Sequence, residues 1–200
     1  MSLIEEPITS HIPDLVTERV VVRRFRLDDL QDIHHILDID LKWGRSCEER
    51  RSILEFYIEQ TSYKNPPFGY RAIVLRDSGT LIGMAGLTSY YLSPRQIRLF
   101  QEPIDKEVPS HNSLVTGIGY SLQTDSQRKG YATEAVRALV AFAFQELAVP
   151  AVWARTDHKN ERSIALMKRI GMRIGIDSRP DAWPGVLGVL DSGFADSGGI

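Results

Sequence analysis

The sequence predicts a single mixed α/β domain, and three observations lead to this prediction. The chain has 200 residues, of which 42% are hydrophobic and 25% are charged, values typical of a globular domain that buries a core. The composition does not change along the chain in a way that would indicate a second domain, and the sequence contains no internal repeat. Segments with the two-residue period of strands alternate with segments that have the period of amphipathic helices. Such alternation favours an α/β fold.

The periodic segments predict the element order β-α-α-β-β-β-α-β-α-β. The patterns Asp28-x-x-Gln31 and Ser46-x-x-Glu49 resemble capping boxes, which begin the first two helices. The predicted strands cover residues 20–22, 70–75, 81–91, 114–122, 151–156 and 186–190, with a turn at 77–79. The predicted helices after these two cover residues 133–148 and 160–170, the second capped by Asn160 and closed by Gly171.

The two ends of the chain and one internal segment show no period. Residues 1–16 are predicted as an N-terminal arm, 17–190 as the domain and 191–200 as a loose tail. Residues 93–113 contain three prolines and predict a long loop, a feature that is usually functional or mobile. We expect a substrate lid or a partner contact there, and a variable surface insertion is the alternative.

Charge balance and cysteine content exclude several classes of protein. Lys and Arg number 24 against 26 Asp and Glu, and this net charge of -2 does not favour a nucleic-acid or membrane-surface partner. Cys47 is the sole cysteine, which indicates a reducing compartment. The sequence shows no secretory signal and no apolar run near the roughly 20 residues that span a bilayer. No set of histidines has the spacing of metal ligands. We therefore expect a cytoplasmic protein without a metal.

Residues 127–132, Gln-Arg-Lys-Gly-Tyr-Ala, lie between a predicted strand and the longest predicted helix. Free N–H groups at a helix start bind anions, and Gly130 allows backbone conformations that other residues resist. Arg128 and Lys129 add positive charge at the same place. The segment therefore predicts a phosphate or pyrophosphate site, with an ordinary polar turn as the alternative.

Other phosphate-binding motifs do not fit the sequence. Gly117-x-Gly119 begins like a dinucleotide fingerprint, but Leu122 stands at the position of its third glycine. No segment matches a Walker loop. Neither nucleotide hydrolysis nor hydride transfer is supported.

The pattern Gln127-x-x-Gly130-x-Ala132 resembles the acyl-CoA loop of the GNAT superfamily of N-acetyltransferases. The run Gly-Tyr-Ala-Thr-Glu-Ala from Gly130 is typical of the RimJ/RimL-like branch of that superfamily. Further segments resemble the branch in the right order and extend the resemblance over residues 17–190: Thr17–Val20, Gly83–Leu87, Ile118–Leu122 and Asn160–Met172. The resemblance implies a mixed, mostly antiparallel central sheet, flanked by helices, with a V-shaped splay between two central strands.

The resemblance also implies the reaction and the cofactor. Acetyl-CoA would donate its acetyl group directly to a primary amine, which could belong to a protein N-terminus, a lysine, an amino acid or a small amine. Pantetheine is expected beside the backbone of residues 120–122, and the pyrophosphate on the N–H groups of residues 128–133. The implied cofactor-binding residues are Tyr120, Ser121, Leu122, Gln127, Arg128, Lys129, Gly130, Tyr131, Ala132, Thr133, Asn160 and Ser163.

The catalytic positions depart from the pattern of the family. Many members have a Glu base where Gly117 stands and a Tyr acid where Met167 stands. Ser163 is the expected proton donor to the leaving sulfur, oriented by Asn160, although both residues could serve only the helix backbone. The backbone near Leu122 could donate to the oxyanion.

Several alternatives stay open at this point. His158, Glu134 or a water chain could act as the base, although a solvated loop histidine and a helix-dipole partner are the simpler interpretations. The fold could also hold acyl-CoA without catalysis, as a sensor or binding module. A protein-interaction domain that uses residues 93–113 and binds no CoA is a third function. The final strand and the long loop could support a homodimer.

Overall fold

The computed structural model describes residues 12–62, 68–100, 109–179 and 184–195. Eight strands form one mostly antiparallel sheet in the order β1-β2-β3-β4-β5-β6-β8-β7, flanked by helices, which confirms the predicted fold class. The strands are β1 (Leu15–Val16), β2 (Val20–Arg23), β3 (Gly69–Leu75), β4 (Leu81–Leu92), β5 (Ser113–Leu122), β6 (Ala151–Thr156), β7 (Arg173–Ile176) and β8 (Val186–Asp191). The helices are α1 (Leu30–His34), α2 (Cys47–Gln60), α3 (Pro94–Arg98), α4 (Tyr131–Gln145), α5 (Glu161–Arg169) and α6 (Ser192–Ala195).

Three further helical segments adjoin these elements. A 3-10 turn, Leu27–Asp29, precedes α1, and a π-helix, His35–Asp40, follows it. A second 3-10 turn, Thr124–Ser126, connects β5 to the loop before α4.

The chain divides into two compact units. Unit 1 consists of Met1–Gly86 and Tyr120–Tyr131, and unit 2 consists of Leu87–Gly119 and Ala132–Ile200. Strands β4 and β5 contribute residues to both units.

Unit 1 packs α1 and α2 against its strands. β2 pairs antiparallel with β1 and with β3, placing Val22 opposite Leu15 on one side and Ile73 on the other. The apolar residues on one face of α1 contact the apolar residues on one face of β3 and form one core with them. Its buried members are Phe25, Leu30, Ile33, Ile36, Leu37, Leu54, Ala72, Val74, Leu81 and Met84.

A buried ion pair joins the π-helix of unit 1 to α2. Arg50 donates from Nε to Asp38 Oδ2 at 2.7 Å and from Nη2 to Oδ1 at 2.8 Å, and the two side chains are 1% and 0% exposed. Burial alone would raise the pKa of Asp38, but hydrogen bonds from Arg50 and from the backbone of Arg45 outweigh it and hold this pKa below its usual range.

The starts of two helices test the capping predictions. Ser46 caps α2 as predicted, because its Oγ accepts from Glu49 N at 3.2 Å and its own N donates to Glu49 Oε2 at 2.7 Å. The box predicted from Asp28 to Gln31 is wrong. Asp29 Oδ2 instead accepts from Arg26 N at 2.7 Å. Arg23 also forms an ion pair with Asp29 at 2.7 Å. The Asp29 carboxylate therefore contacts residues that precede it, and helical structure begins at Leu27, before the predicted start at Asp28.

Unit 2 contains the pairings of β5 to β8. β5 and β6 run parallel and pair at Gly117 opposite Trp153. β8 pairs antiparallel with both β6 and β7, so that Val189 lies opposite Trp153 on one side and Arg173 on the other. One face of α4 is buried along its length, through Ala135, Val136, Leu139, Val140, Phe142 and Ala143.

Four elements of the structure were not predicted. α3 forms inside the predicted loop of residues 93–113, because Ser93 Oγ accepts from Gln96 N at 3.4 Å and Pro94 suits the first helical position. β1 lies in the predicted arm, α6 lies in the predicted tail, and β7 is only four residues long. Residues 1–11 of the arm, 101–108 of the loop and 196–200 of the tail lie outside the described residues.

Within the described residues, none of the helices has the length and apolar character needed to cross a lipid bilayer. No cluster of three or more His, Cys, Asp or Glu side chains in this part of the chain is placed to hold a metal ion.

Candidate functional site

The turn that follows β5 in unit 1 is fixed by hydrogen bonds before α4 begins. Gln127 Nε2 donates to Leu122 O at 2.9 Å. Thr124 donates from N to Asp40 Oδ2 at 2.6 Å and from Oγ1 to Asp40 Oδ1 at 2.7 Å. These two bonds hold the pKa of the Asp40 carboxyl below its usual range. The turn therefore has a preset shape and is tied to the end of the π-helix.

The backbone after this turn has a conformation suited to an anion. Arg128 has φ +62° and Gly130 has φ +87°, whereas φ of Lys129 is not positive. When φ alternates in sign, successive N–H groups turn toward one concave side and can share an anion. A left-handed arginine is uncommon, so the shape of this loop costs free energy that an ordinary turn would not require.

Arg19 lies across the same loop. Its Nη1 donates to Lys129 O at 2.9 Å, and its guanidinium carbon is 4.9 Å from the centroid of the Tyr131 ring. A Cβ added to Gly130 would lie 3.0 Å from Arg19 Nη2. The start of α4 in unit 1 is thus bordered by three cationic side chains, those of Arg19, Arg128 and Lys129.

The end of β5 supplies the residues predicted to lie beside pantetheine. Ser121 Oγ donates to Tyr120 O at 2.9 Å, and Leu122 is buried. A Cβ on Gly83 would lie 2.2 Å from Ser121 O, so glycine at this position of β4 is required for the close approach of the two strands.

Unit 2 holds Thr133 and the predicted residues of the β6–α5 connection. Thr133 is buried in the first turn of α4, and its Oγ1 accepts from Arg169 Nη1 at 3.4 Å. Asn160 caps α5, because its Oδ1 accepts from Ser163 N at 3.1 Å. This confirms the predicted capping role of Asn160 and places Ser163, which is half-buried, in the first turn of the helix.

His158 is oriented by a backbone carbonyl of unit 2. Its Nε2 lies 2.9 Å from Asp177 O. A carbonyl only accepts, so Nε2 carries the hydrogen and Nδ1 is the basic nitrogen of the neutral ring. A Cβ on Gly185 would lie 2.2 Å from His158 Nε2, so the ring packs directly against the backbone of that glycine.

The environment of Gly117 explains why no side chain stands at that position. A Cβ there would lie 2.2 Å from Cε1 of Tyr90, whose ring therefore occupies the space. Arg155 stacks on the Tyr90 ring, with its guanidinium carbon 4.4 Å from the centroid. Among the described residues the buried Tyr90 hydroxyl has no hydrogen-bond partner. Burial raises the pKa of Tyr90, so this hydroxyl stays protonated and can donate but cannot act as a base.

Met167, at the position of the usual tyrosine acid, is 1% exposed and belongs to the core of unit 2. A Cβ on Gly188 would lie 3.1 Å from Met167 Sδ, so the thioether packs onto that glycine of β8. Met167 therefore has a packing role and no proton to give.

Sequence reasoning missed two residues at the loop before α4, Arg19 and Asp40. Arg19 is separated from Lys129 by 110 positions, and Asp40 from Thr124 by 84. No local pattern in the sequence links positions so far apart, and only the fold brings them together.

Comparison with known proteins identifies the family. The model of the acetyltransferase (GNAT) domain matches residues 19–173. The chain belongs to the GNAT acetyltransferase family. It is also 38% identical over 165 residues to the uncharacterized N-acetyltransferase YnaD of Bacillus subtilis, which covers 80% of this chain and 82% of that protein.

Solved GNAT structures share the fold. A GNAT-family acetyltransferase from Bacillus anthracis matches with a TM-score of 0.69 and 17% identity, covering 90% of this chain and 99% of that one. RimL, a ribosomal alpha-N-protein acetyltransferase in complex with coenzyme A, matches with a TM-score of 0.61 and 14% identity, covering 88% and 96% of the two chains. These matches confirm the fold predicted from the sequence.

As a GNAT acetyltransferase, the chain transfers an acetyl group from acetyl-CoA to an amine. The predicted enzyme class and the predicted cofactor are confirmed. Membership in this family supports the enzyme over the two other functions considered from the sequence, the non-catalytic module and the CoA-free interaction domain.

Proposed function

We propose that this GNAT acetyltransferase binds the phosphates of acetyl-CoA at residues 127–133 and its pantetheine beside the backbone of residues 120–122. The observation that carries the proposal is the loop of unit 1. Its φ angles alternate in sign at residues 128–130, and it leads directly into the N-terminus of α4. Concave N–H groups, the positive end of a helix and cationic side chains together form a site for a pyrophosphate.

We further propose that the chain belongs to the RimJ/RimL-like branch and acts in the cytoplasm on a primary amine. The acceptor class is a protein N-terminus, an amino acid or a small amine, and a homodimer is the proposed assembly. The segment Gly-Tyr-Ala-Thr-Glu-Ala from Gly130 supports the branch, and the sole cysteine supports a reducing compartment. The β5–β6 pairing at Gly117 and Trp153 is compatible with the splayed strands expected beyond it.

Acetyl-CoA supplies the acetyl group as a thioester when it is bound. Two protons must then be transferred. A base accepts one from the attacking amine as the C–N bond forms, and an acid donates one to the sulfur as the C–S bond breaks. We assign the second proton to the Ser163 hydroxyl, which solvent reprotonates, with Asn160 fixing the start of α5. Nδ1 of His158 is the proposed base, because Nε2 already donates to Asp177 O; Glu134 and a water chain are the alternatives.

Binding and turnover test the proposal separately. At about 100 times its Kd, acetyl-CoA is expected to stabilise the protein by about 2.7 kcal/mol, which raises the Tm by about 5–10 °C for a chain of this size. Release of free thiol in the presence of amino acids, N-terminal peptides or small amines then identifies the acceptor. A Tm that does not move at millimolar acetyl-CoA would contradict the proposed site.

Replacement of Ser163 by alanine is expected to lower kcat by about 10–100-fold while the Kd for CoA changes little, because general-acid help contributes to the chemical step. Steady-state kinetics and calorimetric titration measure the two quantities. Ser52 is a suitable control, because it is a helical serine whose Oγ lies 3.4 Å from Glu48 O in unit 1 and has no proposed role in the reaction. An unchanged kcat in Ser163→Ala would remove Ser163 from the mechanism.

A further inference from the structure

Arg155 in β6 of unit 2 is held in place by a ring and not by an anion. Its guanidinium carbon lies 4.4 Å from the centroid of the Tyr90 ring, and the residue is exposed. None of the ion pairs within the described part of the chain involves Arg155. A contact with a ring face uses the charge of a guanidinium and none of its five N–H donors.

The ring under Arg155 lies against the backbone of β5. A Cβ on Gly117 would lie 2.2 Å from Tyr90 Cε1 and 3.0 Å from Thr88 Oγ1, so a side chain at that position would displace the ring. Burial raises the pKa of Tyr90, and its hydroxyl therefore stays protonated. The phenol is neutral and does not cancel the charge of Arg155.

A second arginine of unit 2 contacts a ring in a different way. The guanidinium carbon of Arg173 lies 6.0 Å from the centroid of the Phe100 ring, but its Nη2 also donates to Asp191 Oδ2 at 2.8 Å. The charge of Arg173 thus has a carboxylate beside it within the chain. Arg155 has the ring contact without the carboxylate, which leaves its charge for an anion from solvent.

Arg155 lies in the part of unit 2 that the proposed function assigns to the reaction. Gly117, opposite Trp153, stands at the position of the usual glutamate base. Alternate residues of a strand share a face, so Arg155 lies on the face of Trp153. β6 ends at Thr156, shortly before His158, the proposed base. We therefore expect groups close to the attacking amine to meet this guanidinium.

We propose that Arg155 binds a carboxylate of the acceptor, so that the substrate is an amine that also carries a carboxylate. The inference rests on the proposed function. A guanidinium matches the two oxygens of a carboxylate with paired N–H donors. The carboxylate has two sources with the same chemistry, the α-carboxylate of a free amino acid and an acidic side chain near a peptide N-terminus.

The test measures thiol release from acetyl-CoA with two matched pairs of acceptors. Alanine and alaninamide differ in the α-carboxylate, and the amides of alanyl-glutamate and alanyl-glutamine differ in the side-chain carboxylate. Arg155→Met keeps the aliphatic stem and removes the charge. It is expected to lower kcat/KM by about 10-fold for the carboxylate member of one pair, mainly through KM, as for one charge-assisted contact. The neutral member should change less than about 2-fold, and the pair that responds identifies the source.

Two further variants separate binding from structure. Arg173→Met removes a guanidinium that also contacts a ring but already has a carboxylate partner, and it is expected to affect both members of each pair equally. Arg155→Lys keeps the positive charge, so it should recover part of the affinity for the carboxylate member.

Two results would overturn the inference alone. One is an equal effect of Arg155→Met on the charged and neutral members of both pairs, which is what a purely structural role gives. The other is that the protein binds acetyl-CoA but acetylates none of the carboxylate-bearing amines, when the panel is extended to the other amino acids and their amides. Failure of the protein to bind acetyl-CoA would overturn the proposed function as well.

Discussion

Asp38→Ala is expected to destabilise the protein by about 3–5 kcal/mol, because it leaves the Arg50 guanidinium buried without its counter-ion. The two side chains are 0% and 1% exposed and make a two-point contact, so water cannot replace the lost carboxylate. Chemical denaturation with circular dichroism measures the free energy of unfolding.

Two variants serve as controls for this prediction. Asp38→Ala combined with Arg50→Met removes both charges and is expected to be more stable than Asp38→Ala alone. Asp191→Ala breaks an ion pair with Arg173 that has nearly the same length, 2.8 Å, but both of its side chains are more than half exposed. This variant is expected to lower the free energy of unfolding by less than about 1 kcal/mol. If Asp38→Ala and Asp191→Ala lowered the free energy of unfolding equally, burial would not explain the effect of Asp38→Ala.

The same ion pair predicts a dependence of stability on pH. The folded pKa of Asp38 lies below that of an unfolded aspartate, which is about 3.9. A depressed folded pKa contributes stability that is complete above the unfolded pKa and is lost as pH falls through the folded pKa. The difference in unfolding free energy between the wild-type protein and Asp38→Ala should therefore narrow as the pH falls below about 4.

Gly130→Glu is expected to weaken acetyl-CoA binding by at least about 100-fold, or about 2.7 kcal/mol. Three costs combine at this position. Any side chain at φ +87° is strained by about 1–2 kcal/mol, its Cβ lies 3.0 Å from Arg19 Nη2, and the carboxylate repels the phosphates and competes for the nearby cations. Calorimetric titration with CoA measures the loss.

Gly130→Gln separates these costs, because glutamine has the shape of glutamate without the charge. It is expected to bind CoA more weakly than the wild-type protein and at least about 10-fold more tightly than Gly130→Glu at low salt. Similar affinities for the two variants would show that shape alone causes the loss. Wild-type affinity in Gly130→Glu would remove this loop from the cofactor site.

Local signals in the sequence predicted the elements that local interactions determine. Ser46 with Glu49, and Asn160 with Gly171, lie within a few residues of the helix ends that they fix, and each pair could be identified from spacing alone. The signal for α3 was also present, as a serine followed directly by a proline, with a glutamine three positions after the serine, but the other prolines of the segment obscured it. A two-residue strand such as β1 is too short to show any period.

The cofactor loop could be predicted only in part, for a related reason. Gly130 and the charges beside it are visible in the sequence, whereas the contacts that shape the loop come from Arg19 and Asp40, far away along the chain. The ring of Tyr90 in β4 fills the space beside Gly117 in β5, and this too is a contact between residues far apart in the sequence. Such contacts join distant parts of the sequence, and a pattern within one segment does not specify them.

The hydrogen bonds between Asp40 and Thr124 make two parts of unit 1 thermodynamically dependent on each other. Asp40 ends the π-helix, and the residues directly after it carry Trp43, whose side chain is 47% exposed. A molecule that binds residues 41–46 more tightly when these bonds are formed must favour the bonded form of the turn before the cofactor loop. If the cofactor also binds the bonded form more tightly, each of the two molecules raises the affinity for the other by the same factor. Replacement of the half-buried Asp40 by asparagine would then weaken that coupling free energy, whichever of the two molecules is titrated.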